Sequence, residues 1–259
     1  MLIDTHCHLN FEGFEKDYEE VIKRCLARDM KMIVIGSQYP TSQKAIEIAE
    51  KYENIFAAVG FHPVHVQEQE FNLGEFAKLA DHPKVVAIGE TGLDYYHLWA
   101  DSKDEEEKVK NQQKEVMFEL LELSKKKRKP AILHCRDAYE DLIAALKEKN
   151  QEVKAVVHCF LGSRKIAKEF LEMGFNLGFT GILTFTDDKE LFEVVKETPL
   201  ERIFIETDAP YLSPEPYRGK RCEPSYVEFV AKKIAEIKNI PLEKVIEQTA
   251  KNAEEFFRI

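Results

Sequence analysis

The sequence predicts a (β/α)8 TIM-type barrel that forms one domain over residues 1–259. Three observations predict it: eight short apolar runs, longer amphipathic stretches between them, and no Ser/Gly-rich linker or repeat that would divide the chain. The expected strands are Leu2–His6, Lys31–Ile35, Ile55–Val59, Val85–Gly89, Pro130–His134, Lys154–His158, Phe175–Phe179 and Arg202–Thr207. Each is apolar or β-branched and bounded by Gly, Pro or charge. They are too uniformly apolar to face water on one side, so a parallel sheet covered on both faces is expected. Helical spacing recurs in Asp17–Arg28, Thr41–Tyr52, Glu105–Lys127, Ala138–Lys149, Ser163–Met173 and Lys189–Glu197, for example at Val21, Cys25 and Leu26. Ser163 and Ser225 stand where N-caps are expected, and helices after residues 223 and 241 complete the outer layer. A doubly wound open sheet is the rival, but no Gly-rich phosphate fingerprint follows the first strand.

Composition narrows the function. With 37 Lys plus Arg against 47 Asp plus Glu, the net charge is −10, which excludes a protein that coats nucleic acid through bulk charge. A 44% hydrophobic content supports a full core, and no apolar run approaches the roughly 20 residues of a membrane span. The first residues carry no basic region or apolar core, so no signal peptide is expected. Five scattered cysteines without a C-x-x-C pair argue against disulfides or a zinc knuckle and for a cytoplasmic location. Glu and Lys far outnumber Asp and Arg, a skew also found in heat-adapted proteins. The acidic run Asp101–Glu107 and the basic run Lys125–Lys129 flank one expected helix and complement its dipole, the basic run falling at the barrel bottom.

Chemistry is concentrated at the strand ends. His6 and His8 follow the first expected strand, Glu90 the fourth, His134 the fifth, His158 the sixth and Asp208 the eighth. In a (β/α)8 barrel those ends converge on one rim. Four imidazoles and two carboxylates there form a mixed N/O set suited to one or two divalent metals. Because residues i and i+2 of a strand share a face, His6 and His8 can clasp one ion while Cys7 turns toward the helices. The same alternation turns Cys135 and Cys159 away from the axis, as packing residues rather than thiolate ligands. Asp4 and Glu206 are expected to point inward beneath the site, either as buried hydrogen-bonded carboxylates or as groups orienting the His ligands.

Several segments in order resemble the TatD-type metal-dependent deoxyribonucleases of the amidohydrolase-like barrel superfamily. They are Asp4-Thr5-His6-Cys7-His8-Leu9, Gly60-Phe61-His62-Pro63, Gly89-Glu90-Thr91-Gly92-Leu93-Asp94, His134-Cys135-Arg136, His158-Cys159-Phe160 and Glu206-Thr207-Asp208-Ala209-Pro210-Tyr211-Leu212. The resemblance runs from residue 4 to about residue 224. It implies a nuclease, in the better-known members a 3′→5′ exonuclease on single-stranded DNA or RNA. It further implies that His6, His8, Glu90 and Asp208 hold a first metal, and that Glu90 bridges to a second held by His134 and His158. Relatives that cleave amides often use a carboxylated Lys as the bridge, and the fourth strand here offers Glu90 instead. Leu161 and Cys222 depart from the family's usual residues and bear on substrate contacts.

The mechanism this implies is hydrolysis by a metal-activated water, with Asp208 accepting its proton and Glu90 as the second catalytic carboxylate. His62 is a candidate for phosphate or leaving-group contact, against the plainer reading of a structural His packed by Pro63. Arg136 could clamp a phosphate, and Arg218, Lys220 and Arg221 stand in the loop after strand eight, either as anion contacts or paired with Glu215 and Glu223. Tyr211, Tyr217 and Phe160 could stack on bases or simply pack. His65, His82 and His97 are expected on the surface or in loops. Family activity points to Mg or Mn, whereas four His ligands suit Zn, Mn, Fe or Ni. Two other readings keep the barrel: a metal-dependent hydrolase of a small cyclic amide, lactone or phosphoester, and a non-enzymatic metal-binding scaffold.

Overall fold

Eight strands, β1 (Leu2–Cys7), β2 (Met30–Ile35), β3 (Ile55–Val59), β4 (Val85–Asp94), β5 (Ala131–Arg136), β6 (Ala155–Val157), β7 (Asn176–Phe179) and β8 (Ile203–Ile205), pair in parallel in sequence order. The computed structural model describes residues 1–149 and 152–259. Beyond the last strand the sheet closes on itself: the Asp208 amide donates to His6 O at 2.9 Å and the His8 amide to Ala209 O at 2.7 Å. The arrangement is a (β/α)8 barrel, and the amides that close it belong to two of the candidate site residues, Asp208 and His8.

Helices α1 (Tyr18–Leu26), α2 (Tyr39–Glu50), α3 (Leu73–Leu79), α4 (Lys103–Lys127), α5 (Tyr139–Glu148), α6 (Arg164–Glu172) and α7 (Lys189–Glu197) alternate with the strands, and α8 (Val227–Lys238) and α9 (Leu242–Phe257) end the chain. Local sequence sets their ends. Ser102 accepts from the Glu105 amide at the start of α4, whose first turn holds Asp104, Glu105 and Glu106 and whose last holds Lys125, Lys126 and Lys127. Ser163 caps α6 through the Ile166 amide. Ser225, expected to cap, instead lies inside a single 3₁₀ turn, Pro224–Tyr226, that leads into α8. None of the described helices is long and apolar enough to cross a membrane.

Two apolar layers fill the fold. One lies between sheet and helices; the other lies inside the barrel and includes Ile3, Ile33, Ile132, Val156 and Phe204. α9 plugs the lower end, with Phe256 and Phe257 at 5.1 and 5.7 Å from the Phe204 ring. The opposite end of the barrel is left for polar groups.

Two strand expectations need correction. β4 does not stop at Gly89 but runs to Asp94. Gly89 and Gly92 adopt φ values of 149° and 146°, and a Cβ on Gly92 would strike the His134 carbonyl. These glycines let β4 continue close against β5 with a shifted register rather than ending it. Asp4 does not point inward: Ile3 occupies the interior, and the charge of Asp4 reaches Cys7, Cys25 and Cys222 on the helix side. The register between β1 and β2 shifts between Asp4 and Cys7. That shift changes the in–out phase, so His6 faces the axis although Asp4 does not.

Candidate metal centre

His6 and His8 extend from the end of β1 with their Nε2 atoms 3.2 Å apart. Glu90 Oε2 lies 3.3 Å from His6 Nε2 and 3.9 Å from His8 Nε2, and Asp208 Oδ1 lies 3.8 and 3.3 Å from the same two atoms. His8 Nδ1 faces the Ile35 carbonyl at 3.0 Å. A carbonyl can only accept, so Nδ1 carries the proton and Nε2 presents a lone pair. His6 is fully buried and its Nδ1 has no hydrogen-bond partner among the described residues. Burial and the neighbouring His158 hold His6 below the ordinary imidazole pKa. Two imidazole nitrogens that approach so closely beside two carboxylates suit a shared cation far better than each other.

His134, on β5, bridges two carboxylates: Nδ1 to Glu90 Oε1 at 2.9 Å and Nε2 to Asp94 Oδ2 at 3.0 Å. Although burial opposes it, the hydrogen bonds that His134 donates to Asp94 and Glu90 raise its pKa to about 9. Asp94 is buried and also receives the His97 amide and His97 Nδ1, each at 2.9 Å. Gln113 of α4 pins the Asp94 backbone from both sides, accepting from its N–H at 2.9 Å and donating to its carbonyl at 3.0 Å. This braced carboxylate can hold the Nε2 proton and leave Nδ1 as a ligand atom.

His158 follows β6 and stacks on His6 with ring centroids 3.5 Å apart. Its Nδ1 is 2.5 Å from Glu206 Oε2, leaving Nε2 toward Asp208 Oδ1 at 3.7 Å. Against the effect of burial, the Glu206 charge raises His158 to about 10. Among the described residues, ligand atoms cluster as His6/His8/Glu90, His6/His158/Glu206 and His62/Glu90/His134. Among these groups His134 stands with His62 and Glu90, and His158 with His6 and Glu206. Asp4 touches no imidazole ring; it accepts from the His6 and Thr207 amides and the Thr207 hydroxyl, tying β1 to β8.

His62 Nε2 lies 3.5 Å from Glu90 Oε1, but its Nδ1 accepts from the Val64 amide at 3.3 Å, capping the turn Pro63–Gln67. An accepting Nδ1 places the proton on Nε2, and burial lowers the pKa to about 4, so the ring is neutral near pH 7. His62 thus offers the centre a donor, not a lone pair. Cys159 also departs from expectation: β6 ends at Val157, Cys159 has φ 45°, and its thiol sits beside Thr180, where burial and then the Asp208 charge push its pKa up. Strand alternation no longer applies past the strand.

Around the rim, Arg221 is committed to Asp17 through two 2.7 Å contacts, and Arg24 to Glu223. Arg218 donates to Ser213 O and lies over the Phe185 ring, Lys220 lies over Tyr217, and Arg136 over Tyr96; among the described residues none of the three meets a carboxylate. Phe160 is core and Tyr217 stacks on Tyr226, whereas Tyr211 is exposed. His65 and His82 pair with Glu68 and Glu50. The sequence reading missed Asp94, His97 and Gln113. Asp94 was legible in spacing, since it lies four residues past Glu90 on the same side of a strand, but only if that strand continued.

A family model described as TatD related DNase matches residues 3–258. Over 262 residues the chain is 46% identical to the uncharacterized metal-dependent hydrolase YabD of Bacillus subtilis, covering 100% of each. It is 34% identical over 263 residues to the uncharacterized metal-dependent hydrolase YcfH of Escherichia coli K12, covering 100% of this chain and 96% of that one. The crystal structure of YjjV, a TatD homolog from Escherichia coli, superimposes with a TM-score of 0.89 at 28% identity, covering 100% of this chain and 98% of that chain.

Proposed function

This chain belongs to the TatD-related DNase family of metal-dependent hydrolases, and on that premise we propose that it cleaves phosphodiester bonds of single-stranded DNA or RNA as a 3′→5′ exonuclease. What supports this most is the convergence of His6, His8, His134, His158, Glu90 and Asp208 on one rim, with the donor His62 beside them and the carboxylate-free cations Arg218 and Lys220 in a loop of that rim. Those six side chains would hold two divalent ions, whose Lewis acidity would lower the pKa of water toward neutrality and offset charge on the attacking and leaving oxygens.

The chain's own groups divide the remaining work. Asp208 is the more accessible of the two carboxylates, its side chain 17% exposed against 4% for Glu90. Burial raises its pKa, but the charge of the neighbouring His158 opposes that, and the carboxyl stays below its ordinary value and ionised. It is placed to accept the proton of the attacking water as the water oxygen bonds to phosphorus and the ester P–O bond breaks. Glu90 lies between the His6/His8 and His134/His62 groups and joins them. His62 donates from Nε2 to a non-bridging phosphate oxygen, and Glu206 and Asp94 orient His158 and His134.

Strands labelled at the 3′ or the 5′ end, incubated with Mg²⁺, Mn²⁺ or EDTA, test the reading. Immediate loss of a 3′ label, with a descending ladder from a 5′ label and neither in EDTA, is expected. No metal-dependent shortening of DNA or RNA would overturn it.

A further inference from the structure

Large apolar side chains are exposed at few places among the described residues: Met1, Tyr96, Trp99, Leu161 and Tyr211. Apart from Met1, all follow β4, β6 or β8, at the end of the barrel that carries the metal centre. Exposed apolar surface confined to one face marks a binding surface. Tyr96 and Trp99, 59% and 60% exposed, stand together on the loop between β4 and α4.

This loop is tied to the centre on two sides. His97 donates to the same Asp94 oxygen that receives His134, and its ring lies edge-on to Tyr96 at 4.8 Å. Gln67 grips the Trp99 backbone, donating to its carbonyl at 2.7 Å and accepting from its N–H at 3.3 Å. Gln67 ends the turn that His62 caps, so the segment bearing the donor also anchors Trp99. The backbone is held while the indole is left in solvent. Arg136 lies 3.8 Å from the Tyr96 ring centroid, exposed and, among the described residues, without a carboxylate partner.

We propose that Tyr96, Trp99 and Arg136 form a subsite that holds unpaired bases of a single strand by stacking, beside the centre that cuts its backbone. The subsite rests on the nuclease reading. Every base presents a π face, so aromatic rings capture it with little regard to sequence, and Arg adds cation–π attraction and charge for a neighbouring phosphate. Bases inside a duplex are already stacked and unavailable, which gives the site a preference for single strands.

Trp99 is the one tryptophan of the chain, so its emission reports on the subsite directly. Mg²⁺-loaded protein is titrated with phosphorothioate hexathymidylate, which resists cleavage, and with an abasic phosphorothioate hexamer of the same backbone. Saturable quenching by the thymidine strand, with the abasic strand requiring at least about tenfold more for the same effect, is expected. Equal responses to the two strands, or no response to either, overturn the proposal. Tyr96→Ala, an exposed change, is expected to raise KM for an unmodified single strand about tenfold; a KM within twofold of the parent also overturns it. If the unmodified strand is not cut while base-dependent quenching persists, the nuclease reading falls and the stacking subsite stands.

Discussion

His62 and His134 approach the same oxygen, Glu90 Oε1, at 3.5 and 2.9 Å, yet only His134 can give up the proton on that nitrogen and offer a lone pair to a cation. The Val64 amide occupies Nδ1 of His62 and fixes a proton on Nε2. His62→Ala is therefore expected to lower kcat for oligonucleotide cleavage by at least about tenfold, while metal analysis of the purified variant finds the same stoichiometry as the parent. A loss of one metal equivalent would make His62 a ligand instead. On the proposed reading, Asp94 acts through His134 on the metal that ring would hold. Asp94→Ala is expected to weaken metal affinity about 10–100-fold by calorimetry, the range for carboxylates that orient a ligand histidine. Unchanged affinity would show that His134 needs no such brace.

At the scale of elements, β1, β4 and β5 and the residues just past β1, β6 and β8 carry the candidate ligands, and the loop after β8 carries Arg218 and Lys220. The loop after β8 keeps Arg218 and Lys220 free of carboxylates, whereas Arg221 is locked to Asp17. Arg218→Ala and Lys220→Ala should each raise KM for a single strand and shallow the salt dependence of binding by about 0.7 per phosphate contact removed. Arg221→Ala should leave that slope alone; a salt slope indifferent to all three would remove the loop from substrate binding. The rim was legible in the sequence because His6, His8, His134, His158 and Asp208 each fall just past or at the end of a recognisable apolar run, and barrel topology brings such ends together. β4 was misjudged because glycine marks both the end of a strand and a bulge within one, and only contact with β5 distinguishes them. Asp4 was misplaced for a related reason: alternation was extended through a register shift that pairing with β2 creates. The partition of histidines between ligand and donor depends on which nitrogen meets a backbone group, and no residue spacing encodes that.

For the whole molecule, charge and protonation link stability to the metals. The net charge of −10 leaves little long-range attraction for a polyanion, so capture of the proposed substrate would depend on bound ions and a few rim cations. His134 and His158 have folded pKa values raised to about 9 and about 10 from an ordinary 6.5. Groups raised on folding stabilise fully below the unfolded value, and their contribution is lost as pH climbs through the folded one. In EDTA, stability should thus decline between about pH 6.5 and 10. Metal binding must expel those protons, so over the same range affinity should rise, with about two protons released per chain near pH 7.5. Calorimetry in buffers of different ionisation enthalpy measures that number, and zero release would contradict the protonated state of both rings. The most direct test of the central claim compares the parent with Asp208→Asn at matched metal content, each acting on an end-labelled single strand. Shortening that requires the divalent ion and falls at least about 100-fold in the variant is the predicted result; shortening that survives both EDTA and the substitution would place the activity elsewhere.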